Sequence, residues 1–260
     1  MFYLGTLDVF NILANASLTG YLLFVGAVPC SYIDFIYLAG AFELGMWANQ
    51  CCTCAVLLVN RCAQLVNADW PKYSFLGKRA YIWIAMCVTY GLTFSFFANA
   101  LVFSSTSYAW FFDPYIDIPE LNYVDKSYYK STLHTANNIG VILLLVGLNT
   151  VLMALIKMKR GANTRFGRVQ TLITIQSFVI CLFTISSSLI FVIDQHFRVP
   201  TVVTIASNFS WQLSNAGPGI MYIAINRTIR NGVLSMINKK IGWKASSKIY
   251  SITRRDLTQW

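Results

Sequence analysis

Long apolar windows alternate along this chain with short polar or charged ones. Six windows are long enough to form membrane-crossing helices: residues 1–25, 33–65, 81–103, 137–156, 169–193 and 202–225. About 20 helical residues cover the ~30 Å of hydrocarbon in a bilayer. The second window organises the rest. It carries Glu43 at mid-depth and reaches Arg61 after the apolar run Ala55–Val59 and Asn60. The two charges are 18 residues apart, about 27 Å along a helix. One helix thus links a buried polar point to a cationic end, the layout of a transducer.

Composition agrees with the pattern. The 260 residues are 56% hydrophobic and only 12% charged, against about a quarter charged in an ordinary soluble domain. The formal charge of +10 raises the question of nucleic acid, but the placement of the charges answers it. Arg61, Lys72, Lys78 and Arg79 against Asp69 make segment 61–80 +3. Lys157, Lys159, Arg160, Arg165 and Arg168 make segment 157–168 +5, and the tail from Arg227 is +7. The intervening segment 104–133 is −2, and 26–32 has no basic residue. By the positive-inside rule the three basic segments are cytoplasmic. Topology accounts for the basicity, so no nucleic-acid partner is expected.

This orientation puts Met1 on the cytoplasmic side, yet Met1 already stands in the first window. Asp8 interrupts that window and no basic residue precedes it, so it does not read as a secretory leader. The sequence leaves two options, a six-span protein with a bare amino terminus or one with an earlier span missing. The seven cysteines fall mostly in apolar runs and read as small core residues. Cys51-Cys52-x-Cys54 lacks His or acidic neighbours, so no metal is expected. With only His134 and His196, and no titratable pair converging from one membrane face, neither enzymatic chemistry nor a cofactor is expected.

The aromatic loop residues Trp110, Phe111 and Phe112 fit an interfacial belt, with direct ligand contact as the other reading. In the last window Gly217-Pro218-Gly219 breaks helical hydrogen bonding, which membranes tolerate where neighbours satisfy the freed groups. Tyr222, Asn226 and Arg230 then follow at i, i+4 and i+8 on one helical face. After Gly232, apolar residues against Lys239 and Lys240 fit a short amphipathic helix on the membrane surface.

Several of these stretches, in this order, resemble the nematode serpentine receptor class T family of seven-helix chemoreceptors. They are Gly45-Met46-Trp47, Leu57–Cys62, Trp110–Pro114, His134 with Asn137-Asn138, Trp211–Ser214 and Asn226–Asn231. The resemblance covers the chain to about Met236. It implies an all-α membrane protein whose six transmembrane helices match helices 2–7 of a seven-transmembrane receptor. The first helix would then be missing, from a short gene model or an atypical member. Domain boundaries follow at 1–231 for the bundle and 232–260 for a basic cytoplasmic tail.

The same resemblance implies a G-protein-coupled chemosensory receptor embedded in lipid, binding a small environmental chemical in an outer cavity and signalling through cytoplasmic loops to a heterotrimeric G protein. Its expected place is the plasma membrane, the ciliary membrane of chemosensory neurons included. Glu43, Trp47, Asn99, His134, Trp211 and Gln212 are the candidate ligand-binding residues. Looser similarity to rhodopsin-like receptors makes Asp8, Asn60, Arg61, Pro218, Tyr222, Asn226 and Arg230 candidate signalling residues. Blander readings stand beside these. Glu43 could be a protonated acid bonded within the bundle, Trp47 core packing, and Arg61 an interfacial anchor. A non-signalling remnant and a channel or transporter are the alternative functions.

Overall fold

The structure is a computed structural model and describes residues 2–66, 69–75, 77–115, 123, 125–161, 168–197, 199–225 and 227–240. Helices dominate it. The first apolar run is α1 (Phe2–Asn11), a π-helical turn (Ile12–Ser17) and α2 (Leu18–Phe24). Then come α3 (Ile33–Val66), α4 (Asp69–Phe75), a 3-10 turn (Gly77–Arg79) and α5 (Ala80–Phe97). A small hairpin, β1 (Val102–Ser104) and β2 (Ala109–Phe111), and a second 3-10 turn (Lys126–Tyr129) follow. The rest is α6 (Thr132–Gly161), α7 (Arg168–His196), α8 (Thr201–Ile225) and α9 (Arg227–Lys240).

Five stretches among the described residues are helical, long and apolar enough to cross a membrane. They are Tyr3–Phe24, Ile33–Val66, Gly77–Phe97, Thr132–Lys159 and Thr174–Gln195. The sixth expected span forms a 25-residue helix, α8, but is not among them. Ser207, Asn208, Ser210, Gln212, Ser214 and Asn215 lie close together there and dilute every apolar window.

The sequence pattern is corrected at the third window, expected as one helix over 81–103. The helix stops at Phe97. The chain then turns into the antiparallel hairpin, in which Phe103 pairs with Trp110. Both residues are β-formers and both are buried, so the strand segment follows tertiary burial although the helical apolar run continues into it. Among the described residues the regular structure is therefore helical except for this hairpin. Tyr108, at φ 60°, closes its turn in the left-handed region.

α3 is the axis of the fold, in contact with α1, α5, α6 and α7. Ile36, Gly40, Leu44, Trp47, Cys51, Cys54 and Leu58 recur at three- and four-residue spacing and are all buried. Two glycines let α5 approach most closely. A Cβ on Gly91 would lie 2.6 Å from the carbonyl oxygen of Gly45. With lipid on the far side, such small-residue contacts take the place of a hydrophobic driving force between helices.

The chain forms two compact units, Met1–Pro218 and Gly219–Trp260. The first holds the helices up to Pro218 and the hairpin. In the second, Arg230 Nη1 donates to the carbonyl oxygen of Ala224 at 3.1 Å, satisfying one of the open carbonyls near the end of α8.

Candidate functional site

Polar side chains in a membrane bundle must find partners inside it, because lipid offers none. Two buried polar clusters meet that need here, one nearer the hairpin and one deeper along α3.

The cluster nearer the hairpin joins four helices. Trp47 on α3 donates its indole N–H to Asn138 Oδ1 on α6 at 2.9 Å. An indole can only donate, so this contact fixes which way the Asn138 amide points. Asn138 Nδ2 then faces His134 Nε2 at 3.2 Å, one turn back on α6. His134 Nδ1 faces Gln195 Oε1 on α7 at 3.4 Å. Gln195 Nε2 donates to the Ser131 carbonyl, which leaves its oxygen as the acceptor. The imidazole proton therefore sits on Nδ1. From α5, Tyr90 donates to Asn137 Oδ1 at 2.8 Å, and Asn137 Nδ2 donates to Asn138 Oδ1 at 3.1 Å. An aromatic row lies along this relay. Phe112, just after the hairpin, stands 5.1 Å from the His134 ring, and Phe191 stands 6.3 Å from His134 and 5.5 Å from Trp211.

The deeper cluster joins α1, α3 and α8. Gln50 Nε2 donates to Asp8 Oδ1 at 3.2 Å and to the Ser214 carbonyl at 3.4 Å. Asn11 Nδ2 donates to Asn215 Oδ1 at 3.0 Å and reaches Gln50 Oε1 at 3.5 Å. Asp8, Asn11, Gln50 and Asn215 are all buried. Several buried side-chain atoms have no hydrogen-bond partner among the described residues: Oε1 of Glu43 and both amide atoms of Asn15, and within the deeper cluster Asp8 Oδ2 and Asn11 Oδ1.

The hairpin covers its end of the bundle. Trp110 donates to Thr19 Oγ1 at 2.9 Å, the Ser105 N–H donates to the Ala27 carbonyl at 2.9 Å, and the Leu101 backbone lies against Gly40. Trp110 is thus a buried, hydrogen-bonded strut. Farther out, the side chain of Ser127 and then its backbone N–H hold the Asp125 carboxyl below the ordinary carboxylate range.

These geometries sort the sequence candidates. Glu43, Trp47, His134 and Trp211 are buried, and the last three share the relay and its aromatic row. Gln212 is half-buried on α8. Asn99 stands apart: it is exposed, and its amide donates to the Tyr128 and Lys130 carbonyls, pinning the loop. A cavity between α3 and α7 lies toward Arg61, lined by Cys54, Leu57, Leu58, Ser177, Ile180 and Cys181. It contains none of the expected ligand residues. Arg61 Nη1 donates to Gln64 Oε1 at 2.9 Å, and Gln64 reaches Asn60 Oδ1 at 3.4 Å, while α3 runs on to Val66. Pro218 is buried within α8. Asn226 and the side chain of Tyr222 lie outside the described residues.

The family model for the serpentine type 7TM GPCR chemoreceptor Srt matches residues 1–245. The chain belongs to that family. Serpentine receptor class T-55 of Caenorhabditis elegans is 22% identical over 238 residues, which is 91% of this chain. The chain spans 64% of that relative's length. Membership makes this a membrane protein of a receptor family, and both buried clusters lie within the matched residues.

Asn11, Gln50, Asn138 and Gln195 complete the clusters, and Asn15 is buried near them, without standing out as site residues in the sequence. Their signal is spacing. Asp8, Asn11, Asn15 and Thr19 follow at i, i+3, i+7 and i+11, a polar stripe on an otherwise apolar helix, and Gln50 comes two turns after Glu43.

Proposed function

We propose that this Srt-family chain is a G-protein-coupled chemosensory receptor whose small-molecule ligand reaches Glu43 in the bundle interior. One observation carries the reading: Glu43 is 1% exposed on the central helix, and its Oε1 has no hydrogen-bond partner among the described residues. A buried carboxylate is not sustained without a proton, a partner or a cation. A ligand with positive charge or a strong donor supplies one. Its arrival shifts the bundle between two packings by differential contact, with the polar relay through Trp47 and His134 coupling α3 to α6 and α7.

The remaining parts fit the same scheme. α8 is the sixth span in the proposal, its polar face spent inside the bundle on Asn11, Gln50 and neighbouring helices. α9 lies on the cytoplasmic membrane surface, and the basic segments with Arg61 meet a heterotrimeric G protein. The bundle extends to Asn231, followed by the basic tail 232–260, in the plasma membrane of a sensory cell. Asp8, Asn60, Arg61, Pro218, Tyr222, Asn226 and Arg230 belong to the signalling half of this scheme.

Glu43→Gln tests the reading in a full-length receptor context, since it keeps shape and hydrogen bonding but removes the ionisable group. The expected result is normal surface expression with roughly 2–5 kcal/mol of affinity lost, as for one partner of a buried charge pair. A variant that responds at wild-type concentrations would place Glu43 in the structure alone.

A further inference from the structure

The first helical run carries an unspent polar group at about the depth of Glu43. Asn15 lies on the π-helical turn Ile12–Ser17, is fully buried, and neither its Nδ2 nor its Oδ1 has a hydrogen-bond partner among the described residues. Single π turns inside helices are rare and frequent at functional sites. On either side of Asn15 the polar side chains are bonded to other elements, although Asn11 Oδ1 has no partner among the described residues. Toward the hairpin, Thr19 accepts from Trp110, and in the other direction Asn11 donates to Asn215 and Gln50.

Depth brings Asn15 close to the level of Glu43. α1 and α3 run in opposite directions and touch at Asn11 and Gln50. Asn15 is four residues beyond Asn11 toward the hairpin, and Glu43 is seven beyond Gln50 in the same direction. At about 1.5 Å per α-helical residue Glu43 stands ~10 Å from that contact, and Asn15, four residues along the more tightly rising π turn, at most ~6 Å, so the two lie about one helical turn apart in depth. The π turn itself packs against α3.

The chemistry of the pair specifies its ligand. A carboxylate accepts hydrogen bonds or meets a cation, while a side-chain amide with both ends open presents one donor and one acceptor face. We infer that Asn15 and Glu43 form a two-point recognition site for a small amine bearing a hydroxyl or carboxamide group. The ammonium goes to Glu43, and the second group, itself both donor and acceptor, goes to the Asn15 amide. This rests on the reading of Glu43 as a ligand contact and adds the second contact and the ligand class.

Thermal unfolding of the purified 260-residue chain in detergent micelles tests it, with ethanolamine and glycinamide as probes and ethylamine as the single-group control. Both two-group probes are expected to raise Tm by about 2–4 °C more than ethylamine does. Asn15→Leu should reduce their effect to that of ethylamine, and Glu43→Gln should remove the effect of all three amines. Without probe, Asn15→Leu should raise Tm, because an unpaired buried amide is replaced by an apolar side chain of similar size. Two-group probes that act no better than ethylamine, or that keep their full effect in Asn15→Leu, overturn the role of Asn15 and leave Glu43 standing. An Asn15→Leu chain that melts earlier without probe also overturns it, making the amide structural. If no amine shifts Tm, the Glu43 reading fails and this site with it.

Discussion

Trp47 and Asn138 are 91 residues apart in sequence and 2.9 Å apart in the fold, indole N–H to amide oxygen. Because the indole has no acceptor, it sets the direction of every bond beyond it, through His134 to Gln195. Membrane-buried hydrogen bonds average about 0.6 kcal/mol and reach ~1.7. Asn138→Ala strips partners from Trp47, Asn137 and His134 together, so it is expected to cost more than about 1 kcal/mol. Trp47→Phe should cost less, and the double variant should show coupling. Melting curves of the four proteins in detergent measure this; strictly additive losses would mean the relay is not a unit.

The α3–α5 seam is set by glycine. Gly91→Ala puts a methyl group 2.6 Å from the Gly45 carbonyl oxygen and 2.9 Å from Asn49 Cβ. Overpacking of this kind costs roughly 1–3 kcal/mol. Gly140→Ala, in α6 with nothing within 4 Å of the new Cβ, should be neutral or stabilise by up to ~1 kcal/mol through helix propensity. Surface expression and Tm of the two variants should move in opposite directions.

The hairpin should loosen when Trp110 loses its bond to Thr19. Trp110→Phe keeps the buried ring beside Phe103 and removes only the indole N–H. Amide hydrogen exchange across 102–111 should speed up in the variant, while exchange in α6 stays as in the wild type. Equal protection in both proteins would show that burial alone holds the hairpin.

Arg61→Ala, in a full-length receptor context, is expected to abolish ligand-evoked signalling while surface expression stays near normal. The side chain leaves α3 where that helix passes from apolar to polar residues, bonded to Gln64 one turn on. Unchanged signalling would reduce Arg61 to an interfacial anchor.

Orientation is open to a direct test. A tag placed after Trp260 should resist protease added outside intact cells, because segments 61–80, 157–168 and the tail from Arg227 carry the basic excess. Digestion of the tag would reverse the bundle and separate Arg61 from any cytoplasmic partner.

What the sequence determined by itself is the class of protein and its central helix. Long apolar windows with few charges leave helices as the solution in lipid, since each helix satisfies its own backbone. Glu43 and Arg61 mark α3 as the helix with something to connect. The family, too, is legible in short motifs spread along the chain.

Tertiary structure decided how the polar residues are used. A side-chain amide reads the same whether it fixes a loop, as Asn99 does, or closes a junction, as Asn11 does. Which one holds depends on partners up to 204 residues away, as for Asn11 and Asn215, and helix periodicity does not encode them. The end of α5 has the same cause. Residues 98–104 are apolar enough to prolong a helix, but Phe103 and Trp110 pair across a hairpin and are buried against the bundle, and long-range packing outweighs local propensity.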